Sequence, residues 1–98
     1  MFNKKWPFKD KKDVITISTK GIIEEEKTIL YVTHDEDDGM WQFHDGSDLN
    51  EEDARVVSLK EVYELDSTIG NLSSMPFGWY AWRDSIDDEW KMEQKERM

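Results

Sequence analysis

The side chains with the clearest capacity for chemistry are two histidines, each followed by an aspartate: His34-Asp35 and His44-Asp45. Imidazole beside carboxylate suits a metal centre or a phosphohydrolase, provided the two pairs converge. Each histidine closes a β-like run, Ile29-Leu30-Tyr31-Val32-Thr33-His34 and Met40-Trp41-Gln42-Phe43-His44. The intervening Asp35-Glu36-Asp37-Asp38-Gly39 carries an Asp-Gly hairpin signal, so the runs are predicted to pair antiparallel. With Asp38-Gly39 as a two-residue turn, His34 opposes Phe43, Thr33 opposes His44, and the pleat sends the two rings to opposite faces. With a five-residue loop, His34 opposes Met40, and the rings share a face about 13 Å apart at ~3.3 Å per residue. Neither register lets both ligate one ion at about 2 Å. The spacing predicts two exposed strand-end histidines and no metal centre.

Other chemistry fares no better. The acidic loop 35–39 resembles a calcium ligand set, but Gly39 stands where a third ligand belongs and Met40 where the glycine belongs. No G-x-S-x-G occurs, and the five glycines are scattered, which leaves no nucleophile elbow and no phosphate loop. A glycosidase pair could be drawn from any of 23 acids, so the sequence selects none. With no cysteine, disulfides, thiolate metal sites and cysteine nucleophiles are excluded. No cofactor is implied, and an enzyme is not expected.

The elements that position these residues follow an α+β order. Val14–Ser18 is β-branched and predicts a strand. Gly21-Ile22-Ile23 followed by Glu24-Glu25-Glu26-Lys27 predicts a turn and a solvated bend. After the hairpin, Asn50 with Asp53 suggests a short capped turn, and Arg55-Val56-Val57 a brief extended piece. Ser58-Leu59-Lys60-Glu61 is a capping box opening a helix whose apolar face holds Leu59, Val62, Tyr63 and Leu65. Asp66-Ser67-Thr68 starts a second short helix, and Phe77–Arg83 is an aromatic strand. Ser85 with Asp88 resembles a third helix start leading to Ile86 and Trp90, with a fraying polar end beyond Met92. The expected architecture is α+β: an antiparallel sheet of four to five strands with two or three short helices packed on one face.

Ninety-eight residues allow one domain, and 37% hydrophobic content with 12 aromatic residues supplies one core. No apolar run approaches the ~20 residues that span a bilayer, and the chain opens on no signal-peptide core, so a cytoplasmic protein is expected. Charge is uneven. Residues 1–13 hold five lysines and two aspartates, net +3, whereas residues 14–98 hold 8 basic and 21 acidic residues, net 8 − 21 = −13. The division predicts a basic, flexible arm over 1–13 and a folded domain over 14–98. The arm, with Trp6 and Phe8 between lysines, suits a membrane surface or an acidic partner, or lies back on its own acidic body. The −13 body repels phosphates, so nucleic acid is not an expected partner, and acidic surfaces steer basic proteins.

Ile29 to Phe43, Val57-Ser58-Leu59, Asp66-Ser67-Thr68-Ile69 and Pro76-Phe77-Gly78-Trp79-Tyr80-Ala81-Trp82-Arg83 follow one another in an order with a precedent. Over residues 13–90 the chain resembles small bacterial domains of unknown function related to immunity proteins of polymorphic-toxin systems. Their acidic Asp-x-Gly-x-Trp-x-Phe-like segment is approximated here with Met40 between Gly39 and Trp41. The resemblance implies an α+β domain without enzymatic activity that acts by binding a toxin.

These observations lead to a non-enzymatic module that masks a basic partner. Asp35, Asp37, Asp38, Asp45 and Asp48 would steer the partner, and Trp41, Trp79, Tyr80 and Trp82 would anchor it. Two alternatives stand beside this expectation: an accessory domain acting as a homodimer through an open sheet face, and a divalent-metal hydrolase built on His34, Asp35, Asp37 or Asp38.

Overall fold

The computed structural model describes residues 5–48 and 50–96. Strand β1 (Ile15–Thr19) runs straight into helix α1 (Lys20–Glu25); β2 (Tyr31–His34) and β3 (Trp41–His44) form the expected hairpin. Strand β4 (Ala54–Ser58) continues into helix α2 (Leu59–Leu65), and a 3-10 helix over Ser67–Leu72 leads to β5 (Trp79–Trp82) and β6 (Lys91–Gln94). The class is α+β. The sheet has six strands, in the order β4-β1-β3-β2-β5-β6, where four to five were expected. It is mixed, because β1 lies parallel to β3 with Ile17 beside Gln42. All other pairings are antiparallel.

Alternation explains how the sheet is used. Val32, Phe43 and Ala81 stand in one row across β2, β3 and β5, and all three are buried. Ile22 of α1, Leu59 and Val62 of α2, and Ile69 and Leu72 of the 3-10 helix pack on that same face with Trp41 and Met75. Each fully buried aliphatic or aromatic side chain contributes about 1.5–3 kcal/mol. Small polar residues on this face satisfy themselves on neighbouring strands: Ser18 Oγ donates to the Phe43 carbonyl at 3.1 Å, and Thr16 Oγ1 to that of Val57 at 2.9 Å.

The capping box forms at its nitrogen end, where Ser58 Oγ accepts from the Glu61 N–H at 3.2 Å. Asp66 caps the 3-10 helix through the Thr68 N–H at 2.9 Å. Three local expectations fail, the first being the capped turn: Glu51–Asp53 forms a 3-10 turn to which the Asn50 side chain gives no capping bond. Residues 20–25 form a helix and not a bend, because Thr19 Oγ1 accepts from the Ile22 N–H and Ile22 has a core to enter. Residues 85–90 do not form a helix. The chain turns there, with the Asp88 N–H on the Ser85 carbonyl, so that Lys91–Gln94 can pair with β5.

The hairpin closes in neither expected register. His34 pairs with Trp41 and Tyr31 with His44. The Asp38 carboxylate captures the Met40 N–H at 2.9 Å, the group a two-residue turn would bond to the Asp37 carbonyl. Gly39, at φ +73°, instead donates to the Asp35 carbonyl, and Asp35 donates to that of Met40. Relative to the two-residue turn the strands slip by two places, which leaves every side chain on its original face. The two histidines therefore lie on opposite faces.

The basic segment packs on the body from Trp6 onward, which is the lying-back alternative. Phe8 is 5% exposed within the core, and Trp41 Nε1 donates to the Asp10 carboxylate at 3.3 Å. Residues 1–4 lie outside the described residues.

Candidate functional site

The opposite sheet face carries none of the residues that the helices bury. Its rows are Tyr31–His44–Trp82, Thr33–Gln42–Tyr80 and, toward the other edge, Ile17–Val56. Tyr31 and Tyr80 have ring centres 5.8 Å apart, and Tyr80 and Trp82 stack at 5.4 Å. All three rings are partly exposed, and on the same face, across β3 with its polar Gln42 and His44, Ile15 and Val56 are 58% and 66% exposed. Soluble domains rarely leave aromatic and aliphatic side chains side by side in water without a use. Acidic segments stand at both ends of the strands: Asp35–Asp38 in the hairpin, and Asp45–Asp53 with Asp84–Glu89 at the far end.

The expected anchors separate by parity. Tyr80 and Trp82 lie on this face. Trp41 and Trp79 do not: Trp41 is 1% exposed and stacks on His34 at 3.8 Å, and Trp79 leans on the core from β5. A strand puts alternate residues on opposite faces, so the run Trp79–Trp82 divides between core and surface. Among the acids, Asp37 and Asp38 are exposed at the hairpin tip, while Asp35 turns onto the aromatic face and accepts from Gln42 Nε2 at 2.6 Å. Asp45 and Asp48 lie beyond β3, in the wall of a cleft. Tyr31, Ile15 and Val56 are exposed or partly exposed apolar residues of this face that the sequence reading did not single out. Period-two alternation with buried Val32 is the signal for Tyr31, whereas Val56 needed the β1–β4 pairing.

The cleft measures about 410 Å³ and opens where β1 and β3 end side by side, under the loop that follows β3. Ile17, Thr19, Gln42 and His44 form its floor. Asp45 closes one side, and its carboxylate lies so near the backbone of α1 that a Cβ on Gly21 would fall 2.5 Å from Oδ2. Burial alone would raise the Asp45 pKa, but the Ser47 hydroxyl and N–H, with Lys27 nearby, hold it below the ordinary carboxylate value.

Both histidines are buried, His34 at 8% and His44 at 6% exposure, where exposed strand-end rings were expected, because strands pair on both sides of β2 and β3. Gln42 Nε2 donates to Asp35, so Gln42 Oε1 accepts, and the His44 Nε2 facing it at 3.0 Å carries a proton. Nδ1 is left as a lone pair with no hydrogen-bond partner among the described residues. Burial drives the His44 pKa below its ordinary value; Asp45 and Asp35 pull the other way and do not prevail. A depressed base means that the unfolded chain takes up a proton near pH ~6.5 which the folded ring refuses. Stability from this group is complete above about pH 6.5 and falls below it, by up to ~1.4 kcal/mol per pH unit. We expect the urea midpoint to drop from pH 7 toward pH 5.5, a window above most carboxylate titration, and His44→Gln to flatten the drop. Equal slopes for both proteins would refute the assignment.

His34 cannot join His44. It faces the core, donates from Nδ1 to the Met75 carbonyl at 2.8 Å, and is turned away from Asp35 by the pleat. Among the described residues no group of three or more histidine, aspartate or glutamate side chains is placed to hold a metal ion. Among the same residues no helix is long and apolar enough to cross a membrane. No family model, curated protein or solved structure matches the chain.

Proposed function

We propose that this is a cytoplasmic, non-enzymatic binding module that docks a basic protein on its aromatic sheet face, as the resemblance to toxin-immunity domains implies. One observation carries the reading: Tyr31, Tyr80 and Trp82 form a continuous surface on a face that the helices leave alone, between two acidic ends. Tyr and Trp are the residue types on which interface energy concentrates, and the acidic ends supply long-range attraction. Self-association through this face is the weaker reading, because two copies at −10 each would bring like charges together.

Truncating two such anchors costs about 2 kcal/mol or more each, at least ~30-fold in affinity per ring. The tagged protein and its Tyr80→Ser/Trp82→Ser variant would be compared for capture of host proteins at low and high salt. A basic protein held by the parent, released by salt and lost by the variant is the expected outcome. Equal capture by both proteins would overturn the reading. So would light scattering that shows a dimer in the parent and a monomer in the variant.

A further inference from the structure

We propose that the open edge of β6 pairs with β6 of a second copy of this chain, antiparallel and centred on Met92, so that two six-stranded sheets join into one. This contact is separate from the docking face: it uses an edge of the sheet and leaves the aromatic rings free.

The backbone supplies the bonds. The Lys95 N–H donates to the Gly78 carbonyl at 2.8 Å, and the pairing of Glu93 with Tyr80 and of Lys91 with Trp82 continues the same alternation toward β5. The N–H and C=O groups of Met92 and Gln94 therefore point away from β5. β6 ends the sheet, and all four of its residues are exposed. The other outer strand, β4, is blunted: Arg55, tied to Glu24 at 2.6 Å, donates from Nη1 to the Ala54 and Glu52 carbonyls.

The order of charges selects the occupant. From residue 89 the chain reads Glu-Trp-Lys-Met-Glu-Gln-Lys. Lysine and glutamate on an outer strand ordinarily deter pairing, but here their order is self-complementary about Met92. With Met92 opposite its own copy, Lys91 faces Glu93 and Glu89 faces Lys95, each pair occurring twice by symmetry. Sliding by two places, the step the hydrogen bonds allow, sets Lys91 against Lys91 or Glu93 against Glu93, which is unfavourable. Apolar packing agrees. Phe43, Val32, Ala81 and Met92 form one row across four strands; the first three are fully buried, and Met92 at the open end is 44% exposed. A second Met92 closes the row and takes that surface out of water.

The −10 on each copy opposes approach, but at about 0.15 M salt, charges more than ~8 Å apart are largely screened. On the aromatic face the acidic ends of two copies would meet, whereas at β6 the facing charges are opposite.

Sedimentation velocity of the full chain in that salt, up to ~1 mM, tests the contact; one strand edge per copy is a small interface, and a Kd on the order of 100 μM is expected. Lys91→Glu and Glu93→Lys, each alone, should weaken the dimer at least ~10-fold, because each sets like charges opposite one another twice. An equimolar mixture of the two variants should dimerise to within ~3-fold of the parent, since every facing charge is then opposite. Met92→Pro should abolish the dimer and keep the fold, because the N–H it removes is not bonded to β5. A parent that stays monomeric at the highest concentration, single variants that dimerise as the parent does, or a mixture that stays monomeric overturns the proposal. Tyr80→Ser/Trp82→Ser should still dimerise; loss of the dimer there would place the contact on the aromatic face and overturn the edge pairing.

Discussion

Replacing Arg83 with alanine is expected to destabilise the protein by about 3–5 kcal/mol, the cost of leaving a buried charge without its partner. The guanidinium is 1% exposed and its donors are distributed among fixed acceptors: Nη2 to Asp66 at 2.6 Å, Nη1 to Thr68 Oγ1 at 3.0 Å, and Nε to the Ile29 carbonyl at 3.0 Å. Trp90 covers it, with the ring centre 4.1 Å from Cζ. The group therefore ties β5 to the start of β2, to the cap of the 3-10 helix and to the chain before β6. Small domains are held by about 5–15 kcal/mol in total, so the variant should be largely unfolded in mild urea. Asp66→Ala should cost a similar amount. An apolar pair, Arg83→Met with Asp66→Leu, should recover much of the loss, because charges that are absent need no solvation.

The acid behaviour of this pair has a definite sign. Burial alone would raise the Asp66 pKa, but bonds from Thr68 and Arg83 outweigh it and hold the carboxyl below its ordinary value. Its stabilisation is present above about pH 3.9 and is lost as the pH falls through the lower folded value. Urea midpoints of the parent and the three variants decide the matter. A loss below ~1 kcal/mol for Arg83→Ala would mean that the guanidinium does not hold these elements together.

The second large effect is expected at Phe8, within the segment that composition marks as a basic arm. Phe8→Ala should cost about 3–5 kcal/mol, the range for emptying a buried phenylalanine site. Its ring meets Trp41 edge-on at 5.4 Å and Trp6 at the same distance, with Tyr63 at 6.3 Å. Removing it opens the roof over Trp41, so near-ultraviolet dichroism should weaken with stability. Lys9→Ala, next in sequence and exposed, should fall within ~0.5 kcal/mol of the parent. If the two variants behave alike, residues 6–8 are not part of the core. The lysines do not contradict this placement, because alternate residues can point to water while Phe8 points inward.

Much of the architecture was legible locally. β-Branched runs marked β1 and β2, the Asp-Gly signal placed the hairpin, and Ser58 with Glu61 marked the start of α2, each through bonds closed within about four residues. Errors arose where the deciding contact is distant. Lys91–Gln94 resembles a fraying helix until the edge of β5 offers it hydrogen bonds, and residues 20–25 form a helix because Ile22 has a core to enter. The hairpin register turned on one side-chain bond, Asp38 to Met40, that competes with the backbone.

For the site, composition alone determined that the chain is acidic, free of cysteine and rich in tryptophan and tyrosine, and period-two alternation kept the two histidines apart. Which rings face water was decided by tertiary structure. Trp41 and Trp82 have the same chemistry, and only the placement of the helices on one side of the sheet buries the first and leaves the second exposed. The cleft is likewise invisible in the sequence. Its floor comes from β1 and β3, which lie 25 positions apart at Ile17 and Gln42 and meet in parallel, and pairing at that range is set by the global packing optimum, not by neighbouring residues.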